Sequence, residues 1–284
     1  MHARFVPSQG CDGSPRPGPR GEPARVMRFC SLGSGSSGNA TLIEADDGAR
    51  TTRVLVDCGF SMRELARRLA RRGVAIESID AVFVTHEHGD HVGCALALAR
   101  RHGTALWASE GTWAAIGVDD APASLHHARD GTPIAVGALE LRPFSVPHDA
   151  NEPLQLTCSD GQRRLGLLTD LGHADDDIAM QLAGCDALLL ECNHDREMLA
   201  QGPYPAFLKR RIGGDRGHLA NDQAAGVLQR VAHRALRHVV AAHLSQQNNR
   251  PDLAAAALAA SLGVSAIEVV VADATQGCRW LDLG

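Results

Sequence analysis

Five apolar runs in this chain each finish on a histidine or an aspartate. "IDAVFVT" leads into His86, "LRPFSVP" into His148, "LGLLT" into Asp170, "DALLLECN" into His194 and "HVVAA" into His243. Runs of this length and make-up predict buried strands. Strands that deliver imidazoles and carboxylates to one rim of a sheet build a preorganised metal site. A single histidine at a strand end is ordinarily a solvated or hydrogen-bonded residue. Five such ends, one of them opening the segment "HEHGDH", are not accounted for in that way.

The segment has a geometry of its own. His86 and His88 lie two residues apart, so in an extended chain both rings point to the same side. Gly89 permits a turn. Asp90 and His91 then begin a predicted helix and approach from a different direction. One short segment thus serves two neighbouring ions, His86 and His88 on one, Asp90 and His91 on the other. Imidazole nitrogens combined with carboxylate oxygens suit zinc, with manganese and iron also compatible. Asp170 is the carboxylate free to bridge them.

The rest of the chain predicts a layered α/β (α+β) frame around such a rim. Strands are predicted at 26–31, 40–44, 53–57, 80–84, 133–136, 139–146, 154–158, 164–169, 186–191, 238–242 and 267–271. Helices are predicted at 61–72, 90–101, 109–116, 174–182, 195–200, 204–212, 221–235 and 251–261. Ser61 with Glu64 reads as a capping box, and Asn221 as an N-cap. Residues 1–25 are dense in Pro, Gly and Ser and predict a disordered tail before a domain at 26–284. Met27 is an alternative start.

Composition narrows the partners. Apolar residues make up 44% of the chain, enough for a large core, although aromatics are only 4%. The net charge of −5 opposes a long phosphate-contacting footprint. Bound divalent ions would nevertheless place positive charge where a phosphate sits. The eight cysteines form no C-x-x-C pair and sit mostly in apolar runs, which suits buried thiols in a reducing compartment. With no membrane-length apolar stretch and no signal-peptide pattern, a cytoplasmic location is expected.

"HEHGDH" after an apolar strand resembles the H-x-H-x-D-H signature of metallo-β-lactamase-fold hydrolases. "SVPHDA", "LLTDLG" and "AAHLS" resemble, in order, the later motifs of that family. The resemblance covers 26–284 and implies a four-layer αββα sandwich with a binuclear site at one edge of its two sheets. It implies that His86, His88 and His148 hold the first ion, that Asp90, His91 and His243 hold the second, and that Asp170 bridges. "MRFCSLGSGSSGNATLIE", "LLECNHDREML", "GPYPAFLKRRI", "GHLAN" and "HLSQQNNRP" are similar to the YycJ/WalJ branch, whose members are described as 5′-to-3′ DNA exonucleases or metallohydrolases. His173 departs from that branch, where an aromatic is more usual, and is read as a bystander.

The implied chemistry is phosphodiester hydrolysis with two divalent ions, zinc or manganese, and iron as a third option. Two such ions acidify a shared water, and the resulting hydroxide attacks phosphorus while the ions neutralise the phosphoryl oxygens. Asp90 can also orient that water. The leaving alkoxide needs a proton donor, and His218 and His194 are the candidates, as general acid or phosphate clamp. Each is otherwise a structural hydrogen-bonder. Asn193 is expected to support the ligands from behind. Ser34, Ser36 and Ser37 lie in the glycine-rich "SLGSGSSGN", which is either an anion-binding nest or a plain hairpin loop. Arg216, with Lys209, Arg210 and Arg211, either guides a phosphate backbone or decorates a solvated helix. "RELARRLARR" reads as an exposed helix face.

The expected substrate is DNA, with a small cyclic phosphate or nucleotide as the main rival. Thioester or lactam hydrolysis is a further option, which Asp90 opposes for β-lactams. A metal-stabilised binding module without turnover would be expected to lack a ligand, and all seven are present.

Overall fold

The computed structural model describes residues 26–117 and 124–284. The expected tail at 1–25 lies outside the described residues. An antiparallel meander of β1 (Val26–Gly33), β2 (Ala40–Asp46) and β3 (Thr51–Val56) opens the first sheet. β4 (Ala81–Phe83), β5 (Ala105–Ala108) and β6 (Leu125–His127) extend it in parallel. The second sheet repeats this plan. β7 (Ile134–Val136), β8 (Leu139–Ser145), β9 (Leu154–Ser159) and β10 (Arg164–Leu168) are antiparallel. β11 (Ala187–Glu191), β12 (His238–Ala242) and β13 (Val270–Val271) then add in parallel. β14 (Leu281–Asp282) returns to the first sheet and pairs with β1.

The helices are α1 (Met62–Ala70), α2 (Gly89–Val92), α3 (Ala95–His102), α4 (Glu110–Ile116), α5 (Asp176–Leu182), α6 (Arg196–Gln201), α7 (Ala206–Ile212), α8 (Asn221–Val231) and α9 (Pro251–Leu262). Three apolar clusters define four layers. Between the sheets lie Phe29, Ile43, Val54 and Phe83 against Leu141, Leu156, Leu167 and Leu189. Outside the first sheet, Leu55, Val82 and Leu106 pack under Leu65, Leu69, Leu98 and Trp113. Outside the second, Leu188 and Leu190 pack under Ile178, Leu182, Val227 and Leu258. The αββα sandwich is therefore present, with helices covering both sheets.

β11 shows why the sequence reads as a continuous apolar run there. Its alternate residues face different cores: Ala187 and Leu189 the centre, Leu188 and Leu190 the helices. A strand buried on both faces has no polar side to reveal its period. Each fully buried leucine contributes ~1.5–3 kcal/mol of transfer free energy.

Several local expectations need correction. The helix expected at 90–101 is two helices, broken at Gly93, where a Cβ would collide with Cys58 O. That close approach packs the turn after β3 against the metal-ligand segment. β5, β6 and β14, of four, three and two residues, lie outside the predicted strands. The run at 267–271 is a 3₁₀ turn followed by a two-residue strand. Asn221 is the first helical residue and not the cap; Ala220 N–H donates to Gln223 Oε1 (2.9 Å) instead. Ser61 does cap α1, accepting from Glu64 N–H (3.3 Å). The α1 arginines are not all on an exposed face. Arg68 is buried, donates to Leu32 O (2.6 Å) and Ala274 O (3.1 Å), and lies over the Phe60 ring.

Candidate metal centre

The chain segments leaving β3, β4, β8, β10 and β12 converge at one rim of the sandwich. There His86 follows β4, buried completely. Thr85 Oγ1 lies 3.0 Å from His86 Nδ1 and donates to the Asp57 carboxylate, so it accepts the Nδ1 proton. That fixes the tautomer and turns the Nε2 lone pair inward. His88 Nδ1 stands 2.9 Å from His86 Nε2. His148 Nδ1–H donates to Gly217 O (3.1 Å), which leaves its Nε2 for the same point. His86, His88 and His148 thus offer three nitrogens within 4.8 Å of one another.

The second group lies beside the first. His91 Nδ1–H donates to Asp57 Oδ2 (2.8 Å), and its Nε2 lies 3.7 Å from Asp90 Oδ2 and 3.1 Å from Asp170 Oδ2. His243 Nδ1–H donates to Glu191 Oε1 (3.1 Å), and its Nε2 lies 3.7 Å from Asp90 Oδ2. Asp90, His91 and His243 form one compact donor set, and His86, His91 and Asp170 form another that links the two groups. Asp170 thus stands within reach of donors from both groups.

The donors fit divalent ions. His148 Nε2 and His243 Nε2 are buried with no hydrogen-bond partner among the described residues. Such atoms are costly to bury unless something binds them. Burial pushes the His86 and His148 pKa values down, which keeps both imidazoles neutral, the form a metal binds. At His91 and His243, burial acts in the same direction, but carboxylates led by Asp170 outweigh it. They raise His91 well above its usual value and His243 to about 10. A potential that holds a proton on a buried imidazole also favours a metal cation there.

Two carboxylates that the sequence reading passed over organise these ligands. Asp57 closes the run "TTRVLV", and Glu191 closes "DALLL". Both obey the strand-end rule that picked out the ligands. Glu191 is fully buried and accepts from Leu171 and Leu219 N–H (3.2 and 3.1 Å) as well as from His243 and His218. Asn39, at the end of the glycine-rich loop, places Nδ2 3.3 Å from Asp90 Oδ2 and 3.1 Å from His91 Nε2. It ties that loop to the ligand segment.

The rim opens into a cleft in which Ser36, Asp149, Leu208, Arg211, Ile212 and Gly217 surround His88, Asp90, Asp170, His218 and His243. His218 Nδ1–H donates to Glu191 Oε1 (2.7 Å). Burial lowers the His218 pKa, but Glu191 and Asp170 together raise it further, and the net shift is upward.

Other expected residues lie elsewhere. His194 is buried and outside the cleft lining, with Nδ1 unpartnered among the described residues; burial pushes its pKa down to about 4. Glu191, the last residue of β11, is the one from this segment that hydrogen-bonds the rim histidines His218 and His243. Ser34 is also buried, accepting from His243 N–H (2.8 Å), and so braces the backbone of a candidate ligand. Asn193 is buried and donates Nδ2–H to His243 O (3.2 Å), a supporting place. Ser37 and Arg216 are exposed and outside the lining, while Arg211 reaches it, paired with Asp149 at 2.6 Å. His173 contacts Asp215 O (3.0 Å) away from the cleft.

Known proteins are similar to this chain in sequence and fold. The family profile described as the beta-lactamase superfamily domain matches residues 52–243. The exodeoxyribonuclease YycJ of Bacillus anthracis is 34% identical over 231 residues, 80% of this chain and 86% of that protein. The exodeoxyribonuclease WalJ of Streptococcus pneumoniae is 34% identical over 234 residues, 80% of this chain and 85% of that protein. Among solved structures, the metallo-beta-lactamase fold protein YhfI from Bacillus subtilis superposes with a TM-score of 0.69 at 16% identity, covering 90% of this chain and 99% of that one. The chain belongs to the beta-lactamase superfamily, in the branch that holds YycJ and WalJ, and is a metal-dependent hydrolase of the nuclease and phosphodiesterase kind.

Proposed function

We propose that the protein is a DNA exonuclease that removes nucleotides from the 5′ end by hydrolysing phosphodiester bonds with two divalent ions, zinc or manganese. The observation that carries this reading is the joining of two ligand groups through Asp170 at the floor of an open cleft. The choice of DNA rests on 34% identity to two exodeoxyribonucleases over 80% of the chain. Two bound ions would supply an acidified water nucleophile and neutralise phosphoryl charge.

His86, His88 and His148 hold the first ion in this reading, and Asp90, His91 and His243 the second. Asp90 is partly exposed at the cleft, so its carboxylate can also accept from the attacking water and orient it. His218 is the general acid. Its Nδ1–H is fixed on Glu191, which turns Nε2 toward the cleft and favours the imidazolium. Nε2–H then donates to the leaving oxygen, and Glu191 stabilises the charge without taking the proton. Ser36 and Arg211 contact the phosphates beside the scissile bond.

Among the described residues no helix is long and apolar enough to cross a membrane. The seven described cysteines are free and buried, the state a reducing compartment maintains, and we place the protein in the cytoplasm.

The test uses 5′- and 3′-labelled DNA, bis-p-nitrophenyl phosphate and a cyclic nucleotide, with the protein loaded with manganese or zinc. Release of 5′ label as mononucleotide is expected, with Asp170→Ala slower by at least ~100-fold, more than an outer-sphere change. His218→Ala should cost ~10²–10⁴-fold on DNA and far less on bis-p-nitrophenyl phosphate, whose leaving group needs no proton. Intact DNA alongside cleaved cyclic nucleotide would replace the DNA reading with the small-substrate one. Equal losses on both substrates would remove His218 from the acid role.

A further inference from the structure

The helix α7 forms one wall of the cleft and carries an aromatic that the proposed chemistry does not use. Leu208, Arg211 and Ile212, at i, i+3 and i+4, face the cleft. Phe207, Arg210 and Arg211 form the adjoining stripe at the same spacing, so Arg211 belongs to both. Phe207 is 66% exposed, in a chain where aromatics make up only 4% of residues. Nothing in α7 is buried, so no core claims that ring. The remaining cation, Lys209, is turned away, with Nζ donating to Ala200 O (2.6 Å). Arg211 is held at the rim by Asp149 (2.6 Å), and Arg210 makes no ion pair among the described residues.

An exposed ring one turn from two arginines, at the lip of a phosphodiester cleft, has the make-up of a single-strand platform. Bases stack on the ring and the neighbouring phosphates take the cations. The local basic charge stands out because the chain as a whole carries −5. We propose that Phe207, flanked one turn on by Arg210 and Arg211, stacks an unpaired nucleobase beside the scissile phosphate and thereby selects single-stranded DNA ends. This inference rests on the exonuclease reading. A duplex end keeps its terminal base stacked on its neighbour, so it competes poorly for the ring.

The experiment compares the metal-loaded wild-type protein, Phe207→Ala and Phe207→Trp on single-stranded DNA, blunt duplex and oligonucleotides with an abasic site at either of the two terminal positions. Phe207→Ala should lower kcat/KM on single strands by about 5- to 100-fold, the range of one base–aromatic stack. Phe207→Trp should restore it. An abasic terminus should cost the wild type a similar factor and cost Phe207→Ala little more. Independent losses from the abasic site and the substitution, or equal rates for Phe207→Ala and wild type on normal DNA, overturn the platform and leave the exonuclease reading standing. If the wild type digests no DNA, the reading falls and the platform with it. Light scattering on the same samples reads the other occupant. A changed oligomeric state in Phe207→Ala, with unchanged DNA kinetics, would make this stripe a contact between copies and overturn the proposal.

Discussion

At the scale of single residues, three side chains at the rim sit in an unusual backbone conformation. Asp57, Asp170 and His243 are the non-glycine residues with positive φ among those described, at 63°, 56° and 54°. Left-handed backbone at such residues costs on the order of 1–3 kcal/mol and persists where its surroundings enforce it. Asp57 and His243 follow β3 and β12 directly and Asp170 follows β10 after one residue, and the reversal brings each side chain back over the sheet edge instead of letting it run on into solvent. Asp57 is the most informative to change, because its carboxylate holds both His91 and Thr85. Asparagine tolerates the same backbone and keeps the shape. Asp57→Asn should therefore fold normally and bind zinc about 10- to 100-fold more weakly, as loss of a carboxylate behind a ligand imidazole does. Competition with a chromophoric chelator measures this; affinity within twofold of wild type would show that Asp57 is not what orients His91.

At the scale of elements, α1 shows how a helix that looks merely charged is built into the sandwich. Arg68 is buried on two carbonyls from other segments, and Glu64 neutralises it through Nε (2.6 Å) while also accepting from Arg67. Hydrogen bonds from Arg67 first, and then from Arg68, pull the Glu64 carboxyl from its ordinary 4.5 down to about 2. A carboxyl depressed in the folded state stabilises fully above its unfolded pKa. That contribution is lost as pH falls from 4.5 toward 2, because the unfolded chain takes up the proton first. Glu64→Gln should thus melt below the wild type at pH 7, and the gap should narrow on acidification through that window. A gap that stays constant down to pH 3 would mean that the charge on Glu64 contributes nothing.

At the scale of the whole molecule, the metal centre joins the two halves of the sandwich. His86, His88, Asp90 and His91 come from the first sheet's connections, whereas His148, Asp170 and His243 come from the second's. Ions bound across that seam stabilise the native state by mass action, about 2.7 kcal/mol at a free concentration 100 times Kd. For a chain of this size that corresponds to a Tm rise of about 5–10 °C. Zinc or manganese should raise Tm by that amount, a chelator should reverse it, and Asp170→Ala should show much less of it. A midpoint indifferent to metal and chelator would refute a shared centre at the seam.

The candidate ligands were legible in the sequence because the pattern behind them is local. An apolar run that ends on His or Asp is visible in a few residues, and His86, His148, Asp170 and His243 all follow that rule. A layered α/β frame was legible in the run of strands and helices, whereas the four-layer αββα order came from the family resemblance. The relations between segments come from tertiary packing. That Glu191 meets His218 depends on which residue β11 ends on and on where His218 arrives from 27 positions away. That Ser34 turns inward depends on His243, 209 positions distant. The similar plan of the two sheets, three parallel strands added to an antiparallel meander, leaves no repeat in the sequence. Burial requires apolar residues there, not particular ones. Charge neutralisation and hydrogen-bond satisfaction in a buried site are set by what the fold brings within 3 Å, and residue order along the chain does not encode that locally.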